Sequence, residues 1–434
     1  MPTRFNRRQF LEYSAAAGAA SWLVPEAVRA QNAALDKPIR DKLNLGIIGV
    51  ANRGGDNFGA VSSQNIVALC DVDDNYLAAG AQKFPQAKTH NDFRKLIEQK
   101  GLDAVVISTA DHTHAVATVM ALKAGLHVYC EKPLTHSVHE ARVVAETARR
   151  YKRVTQMGTQ IHAGNNYRRV VELVKSGAIG EVKEVHVWCD KVWSAAGPRP
   201  TETPTAPANL HWDLWLGPAP YRPYHPTYAP GNWRGWWDFG GGTLGDMACH
   251  HMDLPHWALD LRHPLTVEAE GPPVKEETTP EWLVVRYDHP ARGAQPPVNL
   301  TWYQGGKRPP QFAQGLLPQW GDGNLFVGSK GMLLADYDRH VLLPEKEFAD
   351  FKAPAPFIPD SIGHHLEWIE ACKTGGPTTC NFDYSGALTE TVLLGNVAYR
   401  AQCKLEWDAA RLKATNCRQA DRFLRREYRK GWQL

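Results

Sequence analysis

The strongest constraint on this chain is a glycine turn embedded in a repeated strand–helix alternation. Residues Leu45 to Val50 form a short, wholly apolar run that reads as a buried strand. The turn that follows, Gly49-Val50-Ala51-Asn52-Arg53-Gly54, has G-x-G-x-x-G spacing with Ala51 at the second glycine. That second glycine normally lets a backbone approach a pyrophosphate, and alanine adds only one methyl group there. A helix over Gly55 to Ser63 and a second apolar strand, Ile66 to Cys70, lead to Asp71. An acid about 20 residues beyond the first glycine stands where ribose hydroxyls are bound. It would repel a 2′-phosphate, which favours NAD over NADP. The competing reading is that Asp71 serves only the helix that starts near Asp73.

The alternation continues. Helices are predicted over Asp92 to Gln99, Thr113 to Ala124 and Ser137 to Tyr151, and strands over Ala104 to Ser108, His127 to Cys130 and Val154 to Gly158. Such an order predicts a doubly wound parallel sheet, with ligands beyond the carboxyl ends of its strands. Thr109, Asp111, His114, Glu131 and Lys132 all fall at such ends. Further along, strands are expected at Val182 to Val192, Trp282 to Tyr287, Val298 to Tyr303 and Gly323 to Phe326, with helices at His364 to Lys373 and Ala387 to Ala401. The fold class is therefore α/β: a parallel Rossmann sheet followed by an α+β part with a large, mostly antiparallel open sheet.

The first thirty residues differ in kind. Arg7-Arg8 is a twin-arginine pair before an Ala-rich apolar stretch, and Val28-Arg29-Ala30 offers small residues for cleavage. This predicts a Tat-type signal peptide, hence a Tat machinery partner and a periplasmic location, with no stable membrane anchor. The domain plan that follows is a signal at 1–30, a linker at 31–42, a dinucleotide domain at 43–162 and a substrate and oligomerisation domain at 163–434. The whole 434-residue chain carries a net charge of +3, and without the leader about +1. That balance gives no electrostatic case for nucleic acid. The eight cysteines contain no C-x-x-C pair and read mostly as buried thiols, with one bridge, Cys372–Cys380, conceivable.

Cys130-Glu131-Lys132-Pro133, and the later run from Gly240 to Asp253 with its D-x-x-x-H-x-x-D pattern, resemble the Gfo/Idh/MocA family of oxidoreductases. The segment Phe326 to Gly331 is similar to the sheet domain of that family. The resemblance implies a catalytic Lys132 completed by Asp246 and His250. It implies a cofactor site built on Gly49, Ala51, Asn52, Arg53, Gly54, Asp71, Thr109, His114, Glu131 and Lys132. It also implies a sugar or polyol substrate, and a homo-oligomer formed through the second sheet. An exported enzyme would hold its NAD tightly.

The residue chemistry runs parallel to this. Removing a hydride from a secondary alcohol requires loss of the hydroxyl proton, for which histidine is suited. A nearby ammonium stabilises alkoxide character. Asp246 and His250 stand four apart and share a helix face, which Asp253 would continue. Asp246 would orient His250 or bind a substrate hydroxyl, and Lys132 and His250 are interchangeable at this level. Asp253 would hold substrate or pair with Lys132. The donors Asp246, His250, His251, Asp253 and His256 fit no standard zinc spacing, so no metal is expected there. Seven of the fifteen tryptophans lie between Trp188 and Trp237. They form either a sugar platform or packing surface, and Trp233, Arg234 and Trp237 are the substrate-contact candidates. The function expected is an NAD-dependent sugar, glycoside or polyol dehydrogenase. The alternative is a glycosidase that oxidises, eliminates and reduces again with NAD conserved.

Overall fold

Strand β1 (Asn44–Ile48) is apolar and buried after Asn44 because both faces of a parallel sheet are covered by helices. It lies at the centre of a six-stranded sheet with β2 (Asn65–Cys70), β3 (Lys88–His90), β4 (Ala104–Ile107), β5 (His127–Glu131) and β6 (Thr155–Gly158). The order is β3-β2-β1-β4-β5-β6, and every pairing is parallel. The order reverses between β1 and β4, so the crevice between their carboxyl ends is the binding position for such a sheet. This computed structural model describes residues 41–195 and 197–434. The expected leader and most of the linker lie outside the described residues.

The local chemistry explains the element ends. Asp73 caps the helix Asp74–Lys83 by accepting the Asn75 and Tyr76 amides, so capping falls to Asp73 and not to Asp71. Ser137 and Glu140 form a reciprocal capping box on the helix Val138–Tyr151. The helix after the glycine turn spans Arg53–Ala60, two residues earlier than expected, because Asn52 takes a positive φ of 51° and starts it at once.

The second sheet has nine strands: β7 (Val182–Cys189), β8 (Thr266–Glu270), β9 (Leu283–His289), β10 (Val298–Gln304), β11 (Gly323–Gly328), β12 (Gly331–Ala335), β13 (His340–Leu343), β14 (Leu405–Asp408) and β15 (Lys413–Ala414). Their order is β13-β12-β11-β7-β10-β9-β8-β14-β15. Only β7 and β10 run parallel; the other pairings are antiparallel. The long helix Phe382–Ala401 packs against Val138–Tyr151 and against Gly242–His251, and so clasps both sheets. Arg142 of the first helix forms an ion pair with its Glu390 at 2.9 Å, and Trp407 Nε1 donates to the same carboxylate.

Several expectations need correction. The run from Asp246 to Asp253 is not one helix face: one helix ends at His251 and another, Asp253–Ala258, begins after Met252. All eight cysteines are free, so Cys372 and Cys380 form no bridge. Among the described residues no helix is long and apolar enough to cross a membrane.

Gly54 is required by packing. A Cβ there would lie 2.3 Å from the Gly49 carbonyl oxygen, a backbone atom that cannot rotate away. Gly54→Ala is therefore expected to cost about 1–3 kcal/mol through overpacking. The readout is the urea midpoint, and a midpoint equal to that of the wild type would remove Gly54 from the packing of the turn.

Candidate active site

The site is built where the end of β5 meets the helix Gly242–His251. Lys132 follows β5 directly, and a cis Lys132–Pro133 peptide turns the chain there. Its Nζ donates to Asp246 twice, to Oδ1 at 2.8 Å and to the main-chain oxygen at 2.9 Å. Arg234 Nε donates to the same Oδ1 at 2.9 Å. Burial opposes ionisation of Asp246, yet the Lys132 and Arg234 charges outweigh it and hold the carboxyl well below its ordinary range. An ammonium has three donors. Two are taken by Asp246, which leaves one for a reacting oxygen.

His250 lies one turn further along the same helix. Its Nδ1 is buried without a partner, and burial beside the Lys132 ammonium keeps the ring neutral, far below its ordinary pKa. Asp246 directs its Oδ1 to the two cations and does not orient His250; the orienting role falls on Lys132. Asp253 is not in the site. Its carboxylate is fully buried, takes His162 Nδ1 at 2.9 Å and accepts from Tyr384 Oη at 2.7 Å. The helix break at Met252 turns it away from Lys132. Trp237 is likewise displaced: its Nε1 donates to the Lys275 carbonyl, and Arg400 lies over its ring.

A cavity of about 380 Å³ opens over the crevice of the parallel sheet. Gly49, Ala51, Asn52 and Arg53 line one wall, with Asp71, Thr109, Trp233 and Arg234 around the rest. Gly49 has φ +87°, and a Cβ on it would fall 2.5 Å from the Ser108 carbonyl oxygen. The turn is thus a backbone cradle that side chains would fill. Asp71 accepts the amides of Val50 and Asp73, each at 3.0 Å, while burial raises its pKa. These features fit a dinucleotide without a 2′-phosphate.

Four of the expected cofactor residues do not line the cavity: Gly54 packs on the Gly49 carbonyl, Lys132 is engaged by Asp246, and Glu131 and His114 act from behind it. Glu131 accepts from Arg53 Nε, Asn57 Nδ2 and Gln160 Nε2, and its Oε2 accepts the Lys132 amide. It binds the glycine turn to the catalytic lysine. His114 places its ring nitrogens against the Pro133 and Thr109 carbonyls and is buried. Both side chains set loop positions, and neither borders the cavity.

The aromatic segment divides. Trp212, Trp215, Tyr228, Trp236 and Phe239 pack mainly on one another. Trp215, Tyr224 and Trp233 also face the cavity. The segment is anchored at the acidic end of the crevice. The Asp74 amide donates to the Asn209 carbonyl, the His211 amide to the Val72 carbonyl, and Asn209 Nδ2 to Asp73 Oδ2.

Asp111 stood among the strand-end residues, but sequence assigned it no role. It is buried and its Oδ2 has no partner. Burial, with the Asp246 charge adding to it, pushes its pKa up to about 8 against the pull of Arg234 and Lys132. Asn57 and Gln160 were missed entirely, since amides at such positions carry no pattern.

Family models described as "Oxidoreductase family, NAD-binding Rossmann fold" and "Oxidoreductase family, C-terminal alpha/beta domain" match residues 43–159 and 164–295. Both belong to the Gfo/Idh/MocA group, and together they span more than half of the chain. Inositol 2-dehydrogenase of Salmonella typhimurium is 32% identical over 150 residues, 33% of this chain and 45% of that protein. A glycosyl hydrolase family 109 protein of Shewanella pealeana is 29% identical over 203 residues, 41% of this chain and 44% of that protein. The chain thus spans less than half the length of these curated relatives. The WlbA dehydrogenase of Bordetella pertussis, solved with NADH and UDP-GlcNAcA, superposes with a TM-score of 0.60 at 16% identity. That superposition covers 85% of this chain and 99% of that one and shows a shared fold.

Asp111 yields a pH prediction. Its folded pKa lies above the unfolded value, so the stability it contributes is present at low pH and lost as pH rises from about 4 towards about 8. Asp111→Asn does not titrate. The difference in Tm, variant minus wild type, is expected to become more positive between pH 5 and pH 8. A difference that stays constant would show that Arg234 and Lys132 keep Asp111 ionised throughout.

Proposed function

Since the chain belongs to the Gfo/Idh/MocA oxidoreductase family, we propose that it transfers hydride between a secondary hydroxyl of a sugar, glycoside or polyol and NAD. The observation that carries this reading is the Lys132 ammonium, locked on Asp246 beside a neutral His250 and next to a dinucleotide-shaped crevice. Gly49, Ala51, Asn52 and Arg53 would hold the pyrophosphate, Asp71 the ribose, and Thr109 the wall towards the reacting end. The nicotinamide supplies the hydride acceptor.

The chain's own groups then have defined tasks. The third donor of Lys132 Nζ binds the substrate oxygen and stabilises its alkoxide character. His250, held neutral, receives the hydroxyl proton. Asp246, itself bonded by Arg234, holds the ammonium in place, because an unpaired lysine stem would sample many rotamers. Lys132→Ala is expected to lower kcat by at least about 10³-fold, the scale of losing an electrostatic contact of this kind, while the protein still binds NAD. The measurement is reduced-nicotinamide absorbance with a panel of polyols and glycosides. Undiminished turnover would overturn the assignment.

A second reading is supported by the similarity to the glycosyl hydrolase family 109 protein. Oxidation of a pyranoside hydroxyl acidifies the neighbouring C–H, elimination releases the aglycone, and re-reduction returns the hydride. Aglycone release without net NADH favours this reading; stoichiometric keto-sugar with bound NADH favours the dehydrogenase.

A tightly held cofactor belongs to the same proposal. The segment 207–216 crosses the acidic end of the crevice, fastened by main-chain bonds at Val72 and Asp74. The nucleotide is expected to stay with the protein through gel filtration. Asn209→Ala, which removes the bond to Asp73, should speed its dissociation; an unchanged rate would show that the segment does not retain it. Export by the leader and self-association through the second sheet complete the reading.

A further inference from the structure

The helix that carries Asp246 and His250 ends at His251, and this second imidazole has a different set of neighbours. Its ring is buried and stacks on Tyr337 with centroids 4.8 Å apart. Tyr337 Oη lies 3.1 Å from Nε2, while Nδ1 is buried without a partner. Two further donors arrive from the second sheet. Cys189 is the last residue of β7, and Asp322 immediately precedes β11. β7 and β11 pair antiparallel with Trp188 opposite Gly323, so this register sets Cys189 beside Asp322. One donor atom from each of Cys189, His251 and Asp322 lies within 4.8 Å of the other two.

We propose that Cys189, His251 and Asp322 form a binding site for one divalent transition-metal ion of the zinc class. A thiolate, an imidazole and a carboxylate are the donor types that such an ion takes. Ligand atoms around tetrahedral zinc stand roughly 3.3–3.8 Å apart, given bond lengths of about 2.0–2.3 Å. The three side chains need to close by only about an ångström to reach that geometry. Metal-bound histidines characteristically have their other ring nitrogen held by an outer partner. His251 has such a partner in Tyr337, together with a buried nitrogen that the protein itself leaves unused. Asp322 Oδ1 also accepts the Asp190 amide, which fixes the carboxylate beside Cys189. The neighbouring Lys191 is exposed, and its charge acts on both Cys189 and His251.

The other three-donor grouping, His162, Asp253 and Cys380, shows the contrast. There the imidazole is spent on the carboxylate, which also accepts from Tyr384, whereas His251 Nδ1 has no partner. Three protein ligands at the Cys189 site leave a fourth position open, as in reactive zinc centres. The ligands come from three separated segments, which is why no zinc spacing appears in the chain.

The test uses the full chain with its retained nucleotide, stripped of metal by a chelator and titrated with Co²⁺. The expected result is uptake of one Co²⁺ per chain with a thiolate-to-cobalt charge-transfer band, displaced by Zn²⁺. Cys189→Ser and Asp322→Asn should abolish the band, and both keep the side-chain shape and lie off the catalytic helix. Tyr337→Phe should weaken Co²⁺ binding roughly 10- to 100-fold, the cost of removing an outer-shell partner. Far-UV circular dichroism and the thermal midpoint report that each variant is folded. Failure to bind Co²⁺ stoichiometrically would overturn the site, as would a band that persists in Cys189→Ser. The readout is absorbance of the metal centre and not turnover, so its outcome is independent of the proposed activity.

Discussion

The contact on which this molecule turns is the buried ion pair between Lys132 and Asp246. Lys132 stands at the end of a strand of the parallel sheet, and Asp246 belongs to a helix that packs against β7 and β10 of the other sheet. Withdrawing two charges from water is costly, and the attraction offsets this only when the remaining donors and acceptors are matched. Here the match is made by a second bond from Nζ to the Asp246 carbonyl and by Arg234 on the same carboxylate oxygen. Removing one partner of such a pair typically costs about 3–5 kcal/mol, because the other charge is left buried alone. The pair therefore fixes the register of the two sheets where the chemistry takes place.

Around that pair the other charges fall into place by their surroundings. His250 is neutral because it is buried beside the Lys132 ammonium. Asp111 has an elevated pKa because it is buried near cations already engaged by Asp246. Glu131 links the glycine turn to the lysine backbone through Arg53 and Asn57, so the cofactor cradle and the reacting centre are mechanically one unit. The missing side chain of Gly158 makes room for this: a Cβ there would sit 2.6 Å from the Glu131 carboxylate.

Much of the fold was legible along the chain. The strand–helix alternation and the turn at Gly49 marked the parallel sheet, since short continuous apolar runs repeated between helices are strands covered on both faces. The strands β3, β8, β12, β13, β14 and β15 were not anticipated. Strands of two to five residues are too short to show a period, and they exist because neighbours in the sheet complete their hydrogen bonds. The Trp-rich segment was legible only as aromatic surface in need of a place to bury; the structure divides it between self-packing and the wall of the cavity.

The sequence alone determined which chemical groups are present and which strand ends bear them: the glycine cradle, the acid at Asp71, the lysine after β5 and the Asp246–His250 spacing. Those properties are local, set by backbone periodicity and by the few residues around each turn. Tertiary structure decided the partners. It placed Asp246 on Lys132 and Arg234 and not on His250, and sent Asp253 to His162 and Tyr384. It also brought His251 beside Cys189 and Asp322. A carboxylate's partner depends on which charges share its burial and on where a helix breaks, and neither is written in spacing along the chain.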